Sequence, residues 1–157
     1  MQMQLKSLRP ALLAGEENSV FVLVQIQAPE SNGEQTNTPL NLGICLDRSG
    51  SMTGAPLVEA INCATRIIDR LRTTDHVSVA CFDHESWLVA EAQPAVNKEY
   101  LKEALRVIGA RGATNLFAGW RTSALDLRSV SRDDAMSRVL LLSDGKANTG
   151  KTNVSEI

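Results

Sequence analysis

An apolar strand that ends on an acid is the feature of this sequence that most constrains its fold. Residues 40–47 (LNLGICLD) read as a strand that is apolar on both faces, which is typical of a central strand in a parallel sheet. The next residues place two hydroxyls, of Ser49 and Ser51, at alternate positions in a turn loosened by Gly50. We therefore expect these hydroxyls and the Asp47 carboxylate to surround one point at the carboxyl end of the strand, where open α/β folds place their ligands.

The remaining sequence alternates between helical and strand patterns. Further strands are predicted over 20–28, 76–82, 87–92 and 138–143, with a polar loop over 29–39. Helices are predicted over 57–71, over a segment capped by Asn97 that carries apolar residues as far as Ile108, and over 116–128. The apolar side of this third helix is expected to be Leu116, Trp120, Ala124 and Leu127. Helices that alternate with apolar strands indicate an α/β sandwich with a largely parallel sheet.

Two more polar segments are expected at the same edge of the sheet. Thr114 lies in the glycine-containing run GATN, residues 112–115, and Asp144 follows the buried strand that ends in VLLLS. With Asp47, Ser49 and Ser51 they form a set of hard oxygen donors, which selects Mg²⁺, Mn²⁺ or Ca²⁺ over Zn²⁺ or copper. Hydroxyls are weak ligands, so an acidic side chain of a partner protein could complete the metal's coordination shell.

Composition sets the broad class of the protein. The chain has 157 residues and a formal net charge of −2, which predicts one domain or most of one, and no nucleic-acid or membrane partner held by bulk charge. No apolar stretch approaches the ~20 residues of a spanning helix, and the first residues lack a signal-peptide core. We therefore expect a cytoplasmic location and reduced, buried thiols at Cys45, Cys63 and Cys81.

Three motifs in order, DRSGSM, GATN and LLLSDG, resemble the metal-ion-dependent adhesion site of the von Willebrand factor type A (VWA) domain. The resemblance extends from about Pro39 to the end of the chain. It implies a doubly wound, mostly parallel sheet flanked by helices, and a Mg²⁺ or Mn²⁺ site, with Ca²⁺ ranking below them. It also implies that Ser49, Ser51 and Thr114 contact the metal, while Asp47 and Asp144 act mostly through water and hydrogen bonds.

The resemblance carries further expectations about chain organisation. It divides the chain into an N-terminal arm, 1–38, and a partial VWA domain, 39–157. The arm, with 8–12 followed by the strand over 20–28, resembles that of bacterial stand-alone members. Complete VWA domains continue past the Asp144 loop, which predicts that the domain is truncated at its C-terminus. The open sheet edge that results could pair with another copy of the chain or swap elements with it.

The function that follows is a non-enzymatic module that captures an exposed Asp or Glu of a partner protein through a metal ion. Two alternatives stay open. One is a Mg²⁺-dependent phosphatase of the haloacid-dehalogenase type, with Asp47 as nucleophile and Lys146 as its lysine, although Ser49 stands where that family has a second acid. The other is a subunit that docks onto an ATPase or chelatase.

Several neighbouring residues have open roles at this point. Arg48 could attract an acidic ligand or be an ordinary solvated side chain. Asn115 could orient the Thr114 loop or cap the following helix, and the cap is favoured. Asn148 receives no role.

Overall fold

The computed structural model describes residues 2–7, 22–27, 38–145 and 147–153. Contacts divide the chain into two units, one within 1–37 and one within 38–157. In the first unit, β1 (Gln2–Ser7) and β2 (Val22–Gln27) form an antiparallel pair. The predicted strand over 20–28 is thus present over 22–27, while the predicted arm residues 8–12 and most of the loop over 29–39 lie outside the described residues.

The second unit is built on a four-stranded sheet. Its strands and helices follow in chain order: β3 (Leu40–Asp47), α1 (Ala55–Arg70), β4 (His76–Phe82), β5 (Ser86–Pro94), α2 (Lys98–Arg106), α3 (Leu116–Leu127) and β6 (Met136–Leu142). The spatial order is β5-β4-β3-β6, and β3 pairs in parallel with both β4 and β6. β5 is antiparallel to β4 because three residues join them, too few for a crossover. The α/β fold with helices flanking a mixed sheet is confirmed.

Apolar residues cover both faces of this sheet. On one face Leu42, Ile44 and Leu46 of β3 share a core with residues of α1 and α2. On the other face Cys45 and Phe82 pack towards α3. The central strand β3 is therefore buried on both sides, as its apolar pattern predicted, and its carboxyl end is held in a fixed position. None of the helices in the described part of the chain is long and apolar enough to cross a membrane.

Helix α3 approaches the sheet through small residues. Its buried positions are Gly119, Ser123 and Leu127, and a Cβ atom added at Gly119 would lie 3.0 Å from the Cβ and 2.5 Å from the Cγ of the buried Phe82. Trp120, expected on the apolar side, is 37% exposed. Trp120 is therefore partly buried and lines a depression with Ala124 and Leu127, because the close approach of the helix requires small side chains at the positions that face the sheet.

Two smaller expectations fail. Ile108 is buried, but it lies beyond the end of α2 at Arg106 rather than on the helix. Cys63 lies on α1 as expected, yet it is exposed. Cys45 and Cys81 are buried free thiols, and burial raises their pKa values to about 12 and about 11. These two cysteines are therefore protonated structural residues, as predicted.

A buried carboxylate secures the opposite, amino-terminal edge of the sheet. Asp75 accepts hydrogen bonds from the backbone N–H groups of Leu40 at 3.0 Å and Arg72 at 2.7 Å, and from the Arg72 guanidinium at 2.9 Å. Burial alone would raise the pKa of Asp75, but the Arg72 side chain and the two backbone N–H groups together lower it. The ionised carboxylate thus joins the start of β3 to the end of α1.

Replacement of this carboxylate should destabilise the domain in a pH-dependent way. We expect Asp75→Asn to lower the free energy of unfolding by about 1–3 kcal/mol at neutral pH, because charged hydrogen bonds are lost. The folded-state pKa is depressed, so this stabilisation is complete above the unfolded pKa of about 3.9 and disappears as pH falls through the folded value. Urea unfolding of both proteins across pH 2–7 measures it, and a difference that persisted undiminished at pH 2 would contradict this assignment.

The close approach of α3 to the sheet predicts a second stability effect. Gly119→Ala should destabilise the domain by about 1–3 kcal/mol, because the clash with Phe82 exceeds the gain in helix propensity. Gly109→Ala is the matched control, since a Cβ there meets nothing within 4 Å. Thermal unfolding of the two variants should separate them, and equal melting temperatures would refute tight packing at Gly119.

Candidate functional site

The candidate site is built around Asp47, the last residue of the central strand β3. Its carboxylate is fully buried, and each oxygen accepts a hydrogen bond from a different segment. Oδ1 accepts from the backbone N–H of Ser49 at 2.8 Å, and Oδ2 accepts from the hydroxyl of Ser143 at 2.6 Å. Asp47 therefore shapes the turn that follows β3 and joins it to the end of β6.

The two serines of this turn present their hydroxyls together. The Oγ atoms of Ser49 and Ser51 lie 3.1 Å apart, with Ser49 buried and Ser51 exposed in a short 3-10 turn over Gly50–Met52. Adjacent ligands of an octahedral Mg²⁺, each at 2.0–2.1 Å from the ion, are about 3 Å apart. The spacing of the hydroxyls therefore fits two neighbouring positions around such a cation.

Thr114 is held beside this turn by a network of backbone hydrogen bonds. The N–H of Gly50 donates to the carbonyl of Gly112 at 2.9 Å, and the N–H of Arg111 donates to the carbonyl of Arg48 at 2.7 Å. These bonds tie the GATN loop to the DRSGSM turn. Thr114 itself is buried at the start of α3.

Asn148 anchors Thr114 from the other side. Its side-chain oxygen accepts from the N–H of Thr114 at 2.8 Å, and its own N–H donates to the Thr114 carbonyl at 3.1 Å. The segment after β6 therefore returns to the GATN loop. Asn115 has the role that the sequence favoured, because its side chain caps α3 by accepting from the N–H of Ala118 at 3.1 Å.

Asp144 lies at the same edge, on an exposed position next to Ser143. The two residues line a surface depression together with Met52, the last residue of the serine turn, and Pro56, in the first turn of α1. The five residues named from the sequence thus lie on three loops that hydrogen bonds connect to one another. Direct hydrogen bonds join Asp47 to Ser49 and Ser49 to Ser51. The backbone of Gly112 connects the GATN loop to the serine turn, and the hydroxyl of Ser143, next to Asp144, connects the end of β6 to Asp47.

The chemistry of the donors fits a hard divalent cation. The side chains at this edge provide carboxylate and hydroxyl oxygens, which are suitable ligands for Mg²⁺ or Mn²⁺. Within 38–145 and 147–153, no three side chains of His, Cys, Asp or Glu are grouped in a way that could hold a metal ion.

A second buried aspartate, which the sequence reading missed, lies beside the site. Asp83 follows β4 and accepts hydrogen bonds from Arg111 Nε at 2.9 Å and from the N–H of Glu85 at 3.0 Å, with His84 Nδ1 at 2.9 Å. Burial by itself would raise its pKa, but the bonds from Glu85 and Arg111 and the proximity of His84 lower it. Asp83 could have been identified from the sequence, because it directly follows an apolar strand, as Asp47 ends one.

Two arginines, Arg48 and Arg111, form ion pairs with Asp83 on one side of the site. Arg48 Nε lies 3.5 Å from its carboxylate, and the guanidinium groups of Arg48 and Arg111 lie 4.9 and 5.6 Å from the centre of the half-buried Trp87 ring. The Arg48 side chain is only 14% exposed. Arg48 is thus not the solvated side chain that one alternative described.

Comparison with known proteins identifies a family and several relatives that are similar to this chain. The family model for the von Willebrand factor type A domain matches residues 42–146. The uncharacterized protein sll0103 of Synechocystis sp. is 33% identical over 137 residues, which are 87% of this chain and 32% of that protein. Inter-alpha-trypsin inhibitor heavy chain H2 of Mus musculus is 30% identical over 131 residues, which are 76% of this chain and 13% of that protein. The chain thus spans about a third or less of the length of these relatives.

Solved structures share the fold. The three N-terminal domains of the type V pili tip protein Mfa5 from Porphyromonas gingivalis give a TM-score of 0.63 at 19% identity, covering 70% of this chain and 20% of that one. The PilB minor pilin from Streptococcus sanguinis gives 0.62 at 13% identity, covering 91% and 46%. At these identities the likeness concerns the fold alone.

The phosphatase alternative is not supported by these findings. The family match is to a class of interaction domains, and both oxygens of Asp47 accept hydrogen bonds inside a fully buried position. A nucleophilic carboxylate needs an oxygen that can approach phosphorus. Lys146, the proposed lysine of that reading, lies outside the described residues.

The anchoring of Thr114 leads to a direct test. Asn148→Ala should raise the hydrogen-exchange rate of the Thr114 amide by about fivefold, because one net hydrogen bond of about 1 kcal/mol is lost. Asn62→Ala, an exposed asparagine on α1, is the matched control. Exchange followed by NMR at the Thr114 amide measures the effect, and equal rates in the two variants would show that Asn148 does not hold this loop.

Proposed function

Because this chain belongs to the von Willebrand factor type A domain family, whose members are commonly protein-interaction modules, we propose that it is a metal-dependent, non-enzymatic protein-binding module. Its loop edge holds Mg²⁺ or Mn²⁺, and through that ion it captures an exposed Asp or Glu of a partner protein. The activity and partners of any longer protein that contains this chain belong to the same proposal.

The observation that carries the proposal is the pair of hydroxyls at the end of β3. The Oγ atoms of Ser49 and Ser51 lie 3.1 Å apart, next to a buried carboxylate that binds the backbone of Ser49. The two hydroxyls hydrogen-bond to each other at the carboxyl end of a central strand, and Ser51 is exposed to solvent, so both can turn towards an incoming ion. A hard cation accounts for both their chemistry and their spacing.

Each of the five site residues has a defined task in this proposal. Ser49, Ser51 and Thr114 supply hydroxyl oxygens, while Asp47 and Asp144 supply negative charge. Asp47 also sets the position of Ser49 through its N–H and joins the turn to β6 through Ser143. When bound, the cation supplies the positive charge that attracts the partner's carboxylate. Because the three hydroxyls are neutral and weak ligands, a carboxylate of the partner can complete the coordination shell of the ion.

Calorimetric titration with Mg²⁺ and Mn²⁺ tests this function. We expect saturable binding to the native protein, tightened by acetate as a mimic of the partner's side chain. Ser51→Ala should weaken metal binding at least tenfold, or about 1.4 kcal/mol, because an exposed hydroxyl ligand is lost. Asp47→Asn should weaken it too, with circular dichroism to confirm that this variant still folds.

A control and a second readout make the result decisive. Thr73→Ala removes an exposed hydroxyl from the loop between α1 and β4, at the opposite edge of the sheet, and should leave metal affinity unchanged. Mn²⁺ electron paramagnetic resonance detects binding that releases little heat. Absence of binding by both methods in the folded protein would refute the proposed function.

A further inference from the structure

We propose that Arg111 forms a second docking point beside the metal site, so that the partner segment carries two acidic residues at alternate positions. One carboxylate binds at the Ser49–Ser51 turn and the other binds the Arg111 guanidinium. The inference rests on the proposed function and specifies the partner's chemistry.

Arg111 is placed next to the site by the backbone. Its N–H bonds the carbonyl of Arg48, and the next residue, Gly112, accepts from Gly50 within the serine turn. Its side chain extends towards Asp83, which follows β4, and Trp87, in β5. The five metal-site residues lie mainly at the ends of β3 and β6, so the arginine lies on the other side of the same sheet edge.

The guanidinium of Arg111 is held in a binding orientation. Its Nε donates to the buried Asp83 at 2.9 Å, its Cζ lies 5.6 Å from the centre of the Trp87 ring, and its side chain is 58% exposed. Among the described residues these are the partners that it has, so its Nη groups are available to an incoming carboxylate. A guanidinium fixed in this way loses little freedom on binding, and its fork matches the two oxygens of a carboxylate.

The surrounding charges favour an anion at this point. Arg48 lies against the same carboxylate and the same ring, so two guanidinium groups share the single charge of Asp83. Among the ion pairs of the described residues, both guanidinium groups face Asp83 alone, so this cluster carries more positive than negative charge. Arg48 is mostly buried, so its charge attracts an anion without touching it. The exposed Arg111 makes the direct contact with the partner's carboxylate.

The sheet sets the spacing of the two acids. Neighbouring strands lie about 4.8 Å apart, so points above β3 and above β4 or β5 are separated by roughly 5–10 Å. An extended peptide advances about 3.3 Å per residue, and alternate side chains point to the same side. Two acids at positions i and i+2 therefore fit this span.

Two blocked peptides test the inference at saturating Mn²⁺. Their sequences are Gly-Asp-Gly-Asp-Gly and Gly-Asp-Gly-Asn-Gly, which differ in the second carboxylate only. We expect the two-acid peptide to bind the native protein 3- to 10-fold more tightly than the one-acid peptide. Arg111→Gln should reduce that ratio to about 1 and leave the affinities for Mn²⁺ and for the one-acid peptide unchanged. Arg106→Gln, an exposed arginine on α2, should retain the full ratio.

The outcomes distinguish this inference from the function on which it rests. A native protein that binds Mn²⁺ and both peptides with equal affinity overturns the inference without any variant. An Arg111→Gln variant that keeps the full preference also overturns it, while the metal-dependent function stands. If folded native protein binds neither Mn²⁺ nor the one-acid peptide, the proposed function itself fails, and the inference fails with it.

Discussion

The carboxylate of Asp47 is buried at the end of β3, and its two oxygens accept hydrogen bonds from two different loops. One bond holds the N–H of Ser49, and the other holds the hydroxyl of Ser143 beyond β6. A buried carboxylate is destabilising unless such bonds satisfy it, so the return of both loops to this point contributes to the stability of the domain. The position of the serine hydroxyls is therefore tied to the stability of the central strand and not left to a mobile turn.

The packing beneath the site explains how the strand end can be so firmly placed. α1 and α2 cover one face of the sheet with branched apolar side chains, whereas α3 covers the other face at close range. Gly119 allows the backbone of α3 to approach Phe82, and Gly43 in β3 lies against Ser123 and Leu127 of the same helix. Because α3 begins two residues after Thr114, the close packing of this helix also helps to determine where the GATN loop meets the serine turn.

Two buried aspartates at neighbouring strand ends have different electrostatic surroundings. Asp47 accepts from a backbone N–H and a hydroxyl, which are neutral groups, so these partners do not cancel its negative charge. Asp83 instead faces two arginines and His84. One edge of a single sheet thus carries a site suited to a cation beside a cluster suited to an anion. A partner that offers paired carboxylates is the ligand class that would use both.

The sequence by itself determined the elements that depend on local patterns. β3 and β4 have the predicted bounds, because strands buried on both faces leave continuous apolar runs, and Asn97 and Asn115 cap the helices that follow them. The three motifs indicated the family for the same reason: each is a short contiguous run. Only the tertiary structure decided that Trp120 is partly exposed, that Asn148 holds Thr114 and that Ser143 binds Asp47. These outcomes depend on contacts between residues 34 and 96 positions apart, or on how closely a helix approaches a sheet, and no local pattern records either.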